Sequence, residues 1–476
     1  MFDNTMTMRE DARKLAKILR GRRKVKVVTH IDADGICAGA IASLALDRAG
    51  IQNEVEFVKQ LDPDSVAKVQ DSGSLLWFTD LGSGSLDMLD GIDCVIADHH
   101  TPSDRGQGPG VRVQGAEIPT VNPHLHGLSG AVELSGAGAA YLVARELDGA
   151  NSDLAALAIV GAVGDLQDAQ HCRLTGLNRE VLDDGKRAGV LDWRIDLRYF
   201  GRETRPLHKM LQYASDPAIP GITGSEDAAI AFLANLGIQL KDGEEWRSWA
   251  RLDDGERRLV ASRLLEHLLS YGVGHRTARR ILGEVYTLTG ETGGTPLRDA
   301  KEFSTLLNSC GRHEKARLGL EVCRGDRGDS YRRAMTLLQD HRRSLVEGIQ
   351  LVNELGIHRA EQLQWFDAGA GIQDTLVGVV AGMLLGSGEA GADPDLPIIA
   401  FARAEDGSGI KVSARAARTL VEKGLDLSAV MREASAAVGG SGGGHNVAAG
   451  GLIPEGSQAR FLEEAGRIIR SQLSPK

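Results

Sequence analysis

Aromatic residues are scarce in this chain. Phe, Trp and Tyr make up 4% of its 476 residues, which argues against a binding surface built mainly on stacked rings. Cysteines are few and dispersed. Cys37, Cys94, Cys172, Cys310 and Cys323 form no C-x-x-C pair, so structural zinc and a disulfide framework are both disfavoured. No apolar run reaches the roughly 18 residues that a membrane span requires. The start, Met1-Phe2-Asp3-Asn4, lacks the basic segment and apolar stretch of a secretory signal, and cytoplasmic residence is expected by default. Positive charge is in deficit: Lys and Arg number 55 against 65 Asp and Glu, for a formal net charge of −10. That excludes a protein coated in basic surface, though not a local basic groove.

The texture of the chain predicts several domains, as its length does. Ala12, Leu15 and Leu19 have helical spacing within Arg9 to Arg20. From Lys24 the pattern alternates. Strands are predicted at 25–29, 55–58, 75–79, 94–97 and 120–121, with helices at 36–48, 135–147 and 153–163. Short apolar strands separated by helices imply crossover connections and a mostly parallel sheet. After Leu191 charge and helical periodicity increase. Helices are predicted at 259–270 and 277–288, and a long one at 331–353 holds a single glycine, Gly348. Strands return at 398–403, 410–414 and 447–453, interleaved with helices at 376–385 and 427–438. These changes predict four parts: residues 1–192, a helical insertion at 193–328, a connecting helix at 329–355, and a smaller C-terminal α/β domain at 356–476.

The first third places acids and histidines just past predicted strand and helix ends: His30-Ile31-Asp32-Ala33-Asp34-Gly35, then Asp80 in Phe78-Thr79-Asp80-Leu81-Gly82, then Asp98-His99-His100, then Asp165. Each aspartate alone reads as a helix N-cap or a turn residue. Together they do not, because three acidic segments follow successive strands of one sheet and a fourth closes the helix beyond. Ligands of parallel sheets bind at this carboxyl edge, near the switch in strand order. Asp32 and Asp34 can aim at one small volume, and Gly35 lets the chain turn away beside it. Hard oxygen ligands with one or two imidazoles suit Mn²⁺ or Mg²⁺. Asp80 is suited to bridge two such ions, the arrangement that cleaves phosphoesters. The glycine run Gly439 to Gly444 has the composition of a linker. However, His445 follows directly and an apolar strand begins at Val447, so its amides suit a phosphate instead. It is no P-loop, since no Lys-Ser/Thr follows.

The segments HIDADG, FTDLG, ADHH and GAVGD resemble, in this order and spacing, the four motifs of the DHH phosphoesterase superfamily. Gly442-Gly443-Gly444-His445 resembles the GGxH motif of the DHH-associated domain. Asn122-Pro123-His124 and Leu306-Leu307-Asn308-Ser309-Cys310-Gly311-Arg312 are similar to segments of archaeal RecJ-like exonucleases. The resemblance implies an α/β fold with a parallel-sheet DHH domain, a helical insertion and a C-terminal α/β DHH-associated domain. It implies two divalent ions, Mn²⁺ or Mg²⁺, with His30, Asp32, Asp34, Asp80, His99 and Asp165 as ligands. Asp98 would orient the site, and His100 would contact the scissile phosphate. Ser413, Arg415, Gly443, Gly444 and His445 would bind substrate phosphate, as would Asn122 and His124, which read equally well as loop caps.

The implied activity is that of a single-strand-specific exonuclease, 5′→3′ on DNA with RNA as a further substrate, in replication or repair. A replication scaffold is the alternative. Degenerate relatives serve as helicase subunits, and archaeal relatives bind the GINS complex, for which residues 221–325 are the candidate docking region. Every acidic motif is intact here, which favours a catalyst. A third reading is a phosphodiesterase acting on short oligonucleotides or cyclic dinucleotides.

Overall fold

The computed structural model describes residues 2–70, 73–103, 111–113 and 116–474. The chain divides into two compact units, Met1–Leu338 and Gln339–Lys476.

The first unit is built on a five-stranded sheet, β1 (Lys24–His30), β2 (Gln52–Val58), β3 (Leu75–Thr79), β4 (Cys94–Ala97) and β7 (Thr120–Val121). Two short strands, β5 (Val111–Val113) and β6 (Ala116–Ile118), form a separate hairpin. The order β2-β1-β3-β4-β7 is parallel throughout. β1 has its successor on one side and β3 on the other, so the order reverses between β1 and β3. The crevice of such a sheet opens there, at the carboxyl ends. His30 ends β1, Asp80 follows β3, and Asp98 follows β4.

One face of the sheet carries α1 (Phe2–Arg20), α2 (Ala33–Arg48), α4 (Gly136–Leu147) and α5 (Ala155–Gly164), which share a core with Val25, Val27, Trp77 and Val95. A short helix, α3 (Pro63–Val69), joins Val28, Phe78 and Ile96 on the other face. α2 is buried nearly all round, and its Ala and Gly residues let its neighbours approach closely. A Cβ at Gly39 would stand 2.8 Å from the Thr29 side chain on β1.

Beyond α6 (Leu177–Arg187), the chain leaves this core through a strand, Leu191–Leu197, that pairs antiparallel with Leu282–Leu288. The helix expected at 277–288 is thereby corrected. Helix covers only His275–Ala278, a 3-10 turn follows to Ile281, and a strand continues to Leu288. The β-formers Val285, Tyr286 and Thr287 find a partner strand about 90 residues upstream, which outweighs the local periodicity. Between these strands, helices Leu207–Gln212, Glu226–Asn235 and Asp254–Ser270 pack round the buried Trp249. Helices Ala300–Arg312 and Ala316–Cys323 then return to the main core, where Phe303, Leu306, Leu307 and Leu320 are buried.

The second unit, which begins inside the helix Asp329–Leu355, holds a six-stranded mixed sheet. Its order is His358–Arg359, Gln364–Asp367, Ile398–Arg403, Ile410–Arg415, Ala448–Ile453 and Ser441–Gly444. Only the pairing of Gln364–Asp367 with Ile398–Arg403 is parallel. The glycine run therefore forms an edge strand. Helices Leu427–Ala437 and Gln458–Leu473 share a core with one face, and Val377–Ser387 with the other. Among the described residues no helix is long and apolar enough to cross a membrane.

Candidate metal centre

Backbone turns at the sheet's carboxyl edge deliver the carboxylates. Asp32 caps α2, its Oδ1 accepting from the Gly35 amide at 2.9 Å. Its other oxygen lies 2.9 Å from His30 Nδ1, which is also 4.0 Å from Asp80 Oδ2. Asp34 points across to a second helix. Its carboxylate accepts from the Gly136 amide at 2.7 Å and the Ala137 amide at 3.1 Å, at the N-terminus of α4, where amides and macrodipole favour negative charge. Asp80 adopts φ 59°, a left-handed conformation that Asp tolerates better than most residues. That turn aims its buried side chain inward. Asp165 ends α5.

His99 lies at the centre. Its Nδ1 donates to the Gly130 carbonyl at 2.7 Å, which leaves Nε2 with its lone pair inward. Nε2 is 3.2 Å from Asp80 Oδ1, 3.2 Å from Asp165 Oδ2 and 3.8 Å from Asp34 Oδ2. Among the described residues, His99 Nε2 and Asp80 Oδ1 are buried without a hydrogen-bond partner. Buried polar atoms left so are costly, and two facing each other define a place for a cation. The potential ligand atoms fall into overlapping groups, each within 4.8 Å: His30, Asp32 and Asp80; Asp34, His99 and Asp165; and Asp80, His99 and His100. The first two share no residue, and Asp80 and His99 join them through the third. This donor set fits two hard divalent ions.

The electrostatics agree. Burial, and then the neighbouring carboxylates, push Asp80 well above the usual range. Burial likewise raises Asp34, and it lifts Asp165 to about 7 against the opposing charge of His99. Burial disfavours a charged His99, yet Asp165, Asp34 and Asp98 outweigh it and raise that imidazole to about 9. Crowded carboxylates thus hold protons where bound cations would otherwise supply the positive charge.

Asp98 stands outside this cluster and organises it. Its Oδ2 accepts from the Ser83 amide at 2.9 Å; its Oδ1 accepts from the His99 amide at 2.7 Å and lies 2.8 Å from His100 Nδ1. Although burial alone would raise it, His100 and His99 hold its pKa low. For His100, burial works against the charged form and Asp98 more than offsets it, to about 9. The His100 side chain is 44% exposed, so its ring can be reached from solvent.

Asn122 is fully buried, donating to Ser83 Oγ at 2.8 Å and to the His100 carbonyl at 2.9 Å while accepting from the His124 amide at 2.9 Å. All its polar atoms are engaged inside the protein, as a loop cap behind His100. His124 is exposed, near the His99 backbone.

Several residues that shape the site had no role assigned from the sequence. A Cβ at Gly136 would come 2.3 Å from Asp80 Oδ1, one at Gly161 2.2 Å from Asp34 Oδ1, and one at Gly130 1.8 Å from the His99 carbonyl. Only glycine admits these approaches. Gln167 donates to the same Gly130 carbonyl at 2.8 Å and accepts from Asn178 at 2.6 Å, bracing the acceptor that orients His99. From the returning helix Ala300–Arg312, Asn308 Oδ1 accepts from the Ala33 amide at 3.0 Å. Gly311 lies against the Ile31 carbonyl, which a Cβ would approach to 1.9 Å. Burial lowers the pKa of Arg312, and the charge of Asp32 opposes that shift, so a guanidinium borders the turn that carries Asp32. The segment Asn308 to Arg312 marked a resemblance in the sequence, but nothing local tied it to Asp32.

In the second unit, Ser413 and Arg415 lie two apart on one strand and share a face. A Cβ at Gly378 would come 2.6 Å from Arg415 Nη2 and 2.9 Å from Ser413 Oγ, so both gather at the start of helix Val377–Ser387. Ser413 pairs with Gly450, and Gly450 with Gly443. Directly opposed residues face the same way, so two glycines in register leave the sheet bare beside Ser413. Lys411 reaches this lane, its Nζ 3.6 Å from the Cβ position of Gly450. Gly444 (φ 135°) leads into an exposed turn where the His445 amide donates to the Ala448 carbonyl at 2.9 Å.

Comparison with known proteins bears on this arrangement. Residues 199–282 match the DHH-CID domain, and residues 369–471 match the DHHA1 domain. An uncharacterized protein of Methanocaldococcus jannaschii is 27% identical over 463 residues, covering 96% of each chain. The crystal structure of RecJ from Thermus thermophilus in complex with Mn²⁺ superposes with TM-score 0.58 at 17% identity, over 98% of this chain and 55% of that one. This chain thus spans about half of that RecJ's length. CDC45 from Entamoeba histolytica superposes with TM-score 0.64 at 12% identity, over 97% of this chain and 99% of that one. One chain thus carries both a DHH-CID and a DHHA1 domain of the DHH type, within a RecJ-like fold.

Proposed function

We propose that this protein is a metal-dependent exonuclease acting on single-stranded nucleic acid, RecJ-like and 5′→3′ on DNA, with RNA as a further substrate. The observation that carries this reading is the pair of buried ligand atoms, His99 Nε2 and Asp80 Oδ1, facing each other among carboxylates. His30, Asp32 and Asp80 would hold one Mn²⁺ or Mg²⁺ ion and Asp34, His99 and Asp165 a second, with Asp80 and His99 grouped together between them. Two such ions, when bound, would supply an activated water and charge stabilisation for the leaving oxygen of a phosphoester.

The protein's own groups do the rest. Asp98 fixes the direction of His100, whose protonated ring would offer a hydrogen bond and positive charge to an oxygen of the scissile phosphate. Arg312 adds a second cation beside Asp32. In the second unit Ser413, Arg415, Gly443, Gly444 and His445 would grip the phosphates of the strand without reading bases. Digestion of DNA and RNA single strands by the full chain, each strand labelled at either end, with Mn²⁺ and with Mg²⁺, tests the reading. Release of labelled mononucleotide first from the 5′ end is expected. Absence of mononucleotide release from every strand, or faster turnover of a dinucleotide than of a long strand, would overturn it.

A second reading rests on the similarity to CDC45. The protein would then serve a replication assembly, with the insertion docking on GINS. Loss of GINS capture on deleting residues 221–325 is the expected result, and retained capture would remove that docking role. The intact ligand groups favour the nuclease reading.

A further inference from the structure

The insertion carries a basic segment that the proposed chemistry does not use: Tyr271-Gly272-Val273-Gly274-His275-Arg276-Thr277-Ala278-Arg279-Arg280. It closes the helix Asp254–Ser270 and continues as the short helix His275–Ala278 and the 3-10 turn Arg279–Ile281. Val273, Ala278 and Ile281 face the insertion's own core, and this anchoring turns the remaining side chains outward. Tyr271, His275, Arg276 and Arg279 are exposed, with Tyr271 at 61%. Gly272 (φ 78°) makes the turn, and a Cβ at either Gly272 or Gly274 would meet nothing within 4 Å.

Two observations connect this surface to the site. Arg280 donates to the Ala169 carbonyl at 3.3 Å, in the loop that leaves Asp165. The same guanidinium is held by Asp216 at 2.7 and 3.0 Å, so the local acid is spent on Arg280. His275, Arg276 and Arg279, by contrast, have no carboxylate partner among the described residues. Three basic groups left unpaired in a chain of net charge −10 form a local anion-attracting surface next to a metal-site loop.

We propose that His275, Arg276 and Arg279 form a track for the sugar-phosphate backbone of a single strand whose end lies in the metal centre, with Tyr271 as a stacking surface for one base. The occupant is favoured by charge complementarity and by position. A strand cut at the carboxyl edge must leave over neighbouring surface, and this surface is basic and exposed, which suits binding without regard to sequence. The proposal rests on the nuclease reading above.

The test uses the full chain, loaded with Mn²⁺ for turnover and with Ca²⁺ for binding. Binding of a fluorescent single strand of about 30 nucleotides, long enough to exceed a single-domain site, is measured against salt for the wild type, for Arg276→Glu/Arg279→Glu, and for a charge-matched control, Arg258→Glu/Arg263→Glu. The track variant is expected to lose at least tenfold in affinity and to flatten the log–log salt slope by about 1.4, some 0.7 per phosphate contact removed, while the control stays within twofold of the wild type. Equal affinity and slope in the track variant and the wild type would overturn the track while leaving the nuclease reading standing. Failure of the wild type to bind or cut any single strand would overturn both. Poly-glutamate binding lost in the track variant, with oligonucleotide binding intact, would assign the surface to an acidic protein and likewise overturn the proposal.

Discussion

The two sheets gather polar groups in opposite ways. The parallel sheet of the first unit collects negative charge at its edge, from residues that follow separate strands. The mixed sheet of the second unit gathers half-buried positive charge on its face, where Lys411, Ser413 and Arg415 alternate along one strand beside a lane of bare glycine. An edge site crowds its ligands, so each must be buried, oriented and neutralised. A face site needs only space, and glycine supplies it. The first should therefore fail through charge and geometry, and the second through bulk.

Substitutions can sharpen that contrast. Asp80→Ala removes a carboxylate proposed to hold metal, and single-strand turnover in Mn²⁺ should fall on the order of a thousandfold or more, the several kcal/mol of charge stabilisation that a metal supplies. Full activity in Asp80→Ala would break the assignment of the edge. Gly450→Val, which fills the lane beside Ser413, should raise KM for a long strand by about tenfold, roughly one hydrogen-bonded phosphate contact, with little change in kcat. An equal fall in kcat with KM unmoved would refute the idea that the face works as a grip. Asn308→Ala, which frees the Ala33 amide, should lower metal affinity by about 10-fold, as loss of an outer partner does; calorimetric titration with Mn²⁺ reads this.

The smallest effect concerns the metal-free protein. Asp165 titrates at about 7 when folded and near 3.9 when unfolded. Between those values the folded state binds more protons, so this group makes stability fall as pH rises from about 4 to 7. Asp165→Asn should flatten that decline in the apo protein and raise its melting temperature by a few degrees above pH 7. In the presence of Mn²⁺ the sign should invert, because the wild-type carboxylate then has a cation. A melting temperature lowered equally with and without metal would show that Asp165 serves packing alone.

Much of the edge was legible in the sequence because each motif is local. Strands at 75–79, 94–97 and 120–121 fall where the apolar runs predict, and the acids sit directly after the first two. The groups that make the site precise were not legible. Gly136 and Gly161 are ordinary helical glycines until folding brings Asp80 and Asp34 against them. Gln167 and Asn308 act through contacts 37 and 275 residues apart in sequence. The strand Leu282–Leu288 read as a helix because its partner lies far upstream. Ser413 and Arg415 were found by resemblance, whereas Lys411, equally placed, lay outside any motif.

The hydrogen bond from the Ala33 amide to Asn308 spans 275 positions, and this separation orders events during synthesis. The turn carrying Asp32 and Asp34 emerges from the ribosome early, but the helix that braces it follows only after the whole insertion has been made. At about 5–20 residues per second that delay is roughly 15–55 s. Throughout it, a nascent chain exposes a half-built pocket of carboxylates, so the proposed metal site is complete only once most of the first unit has been translated.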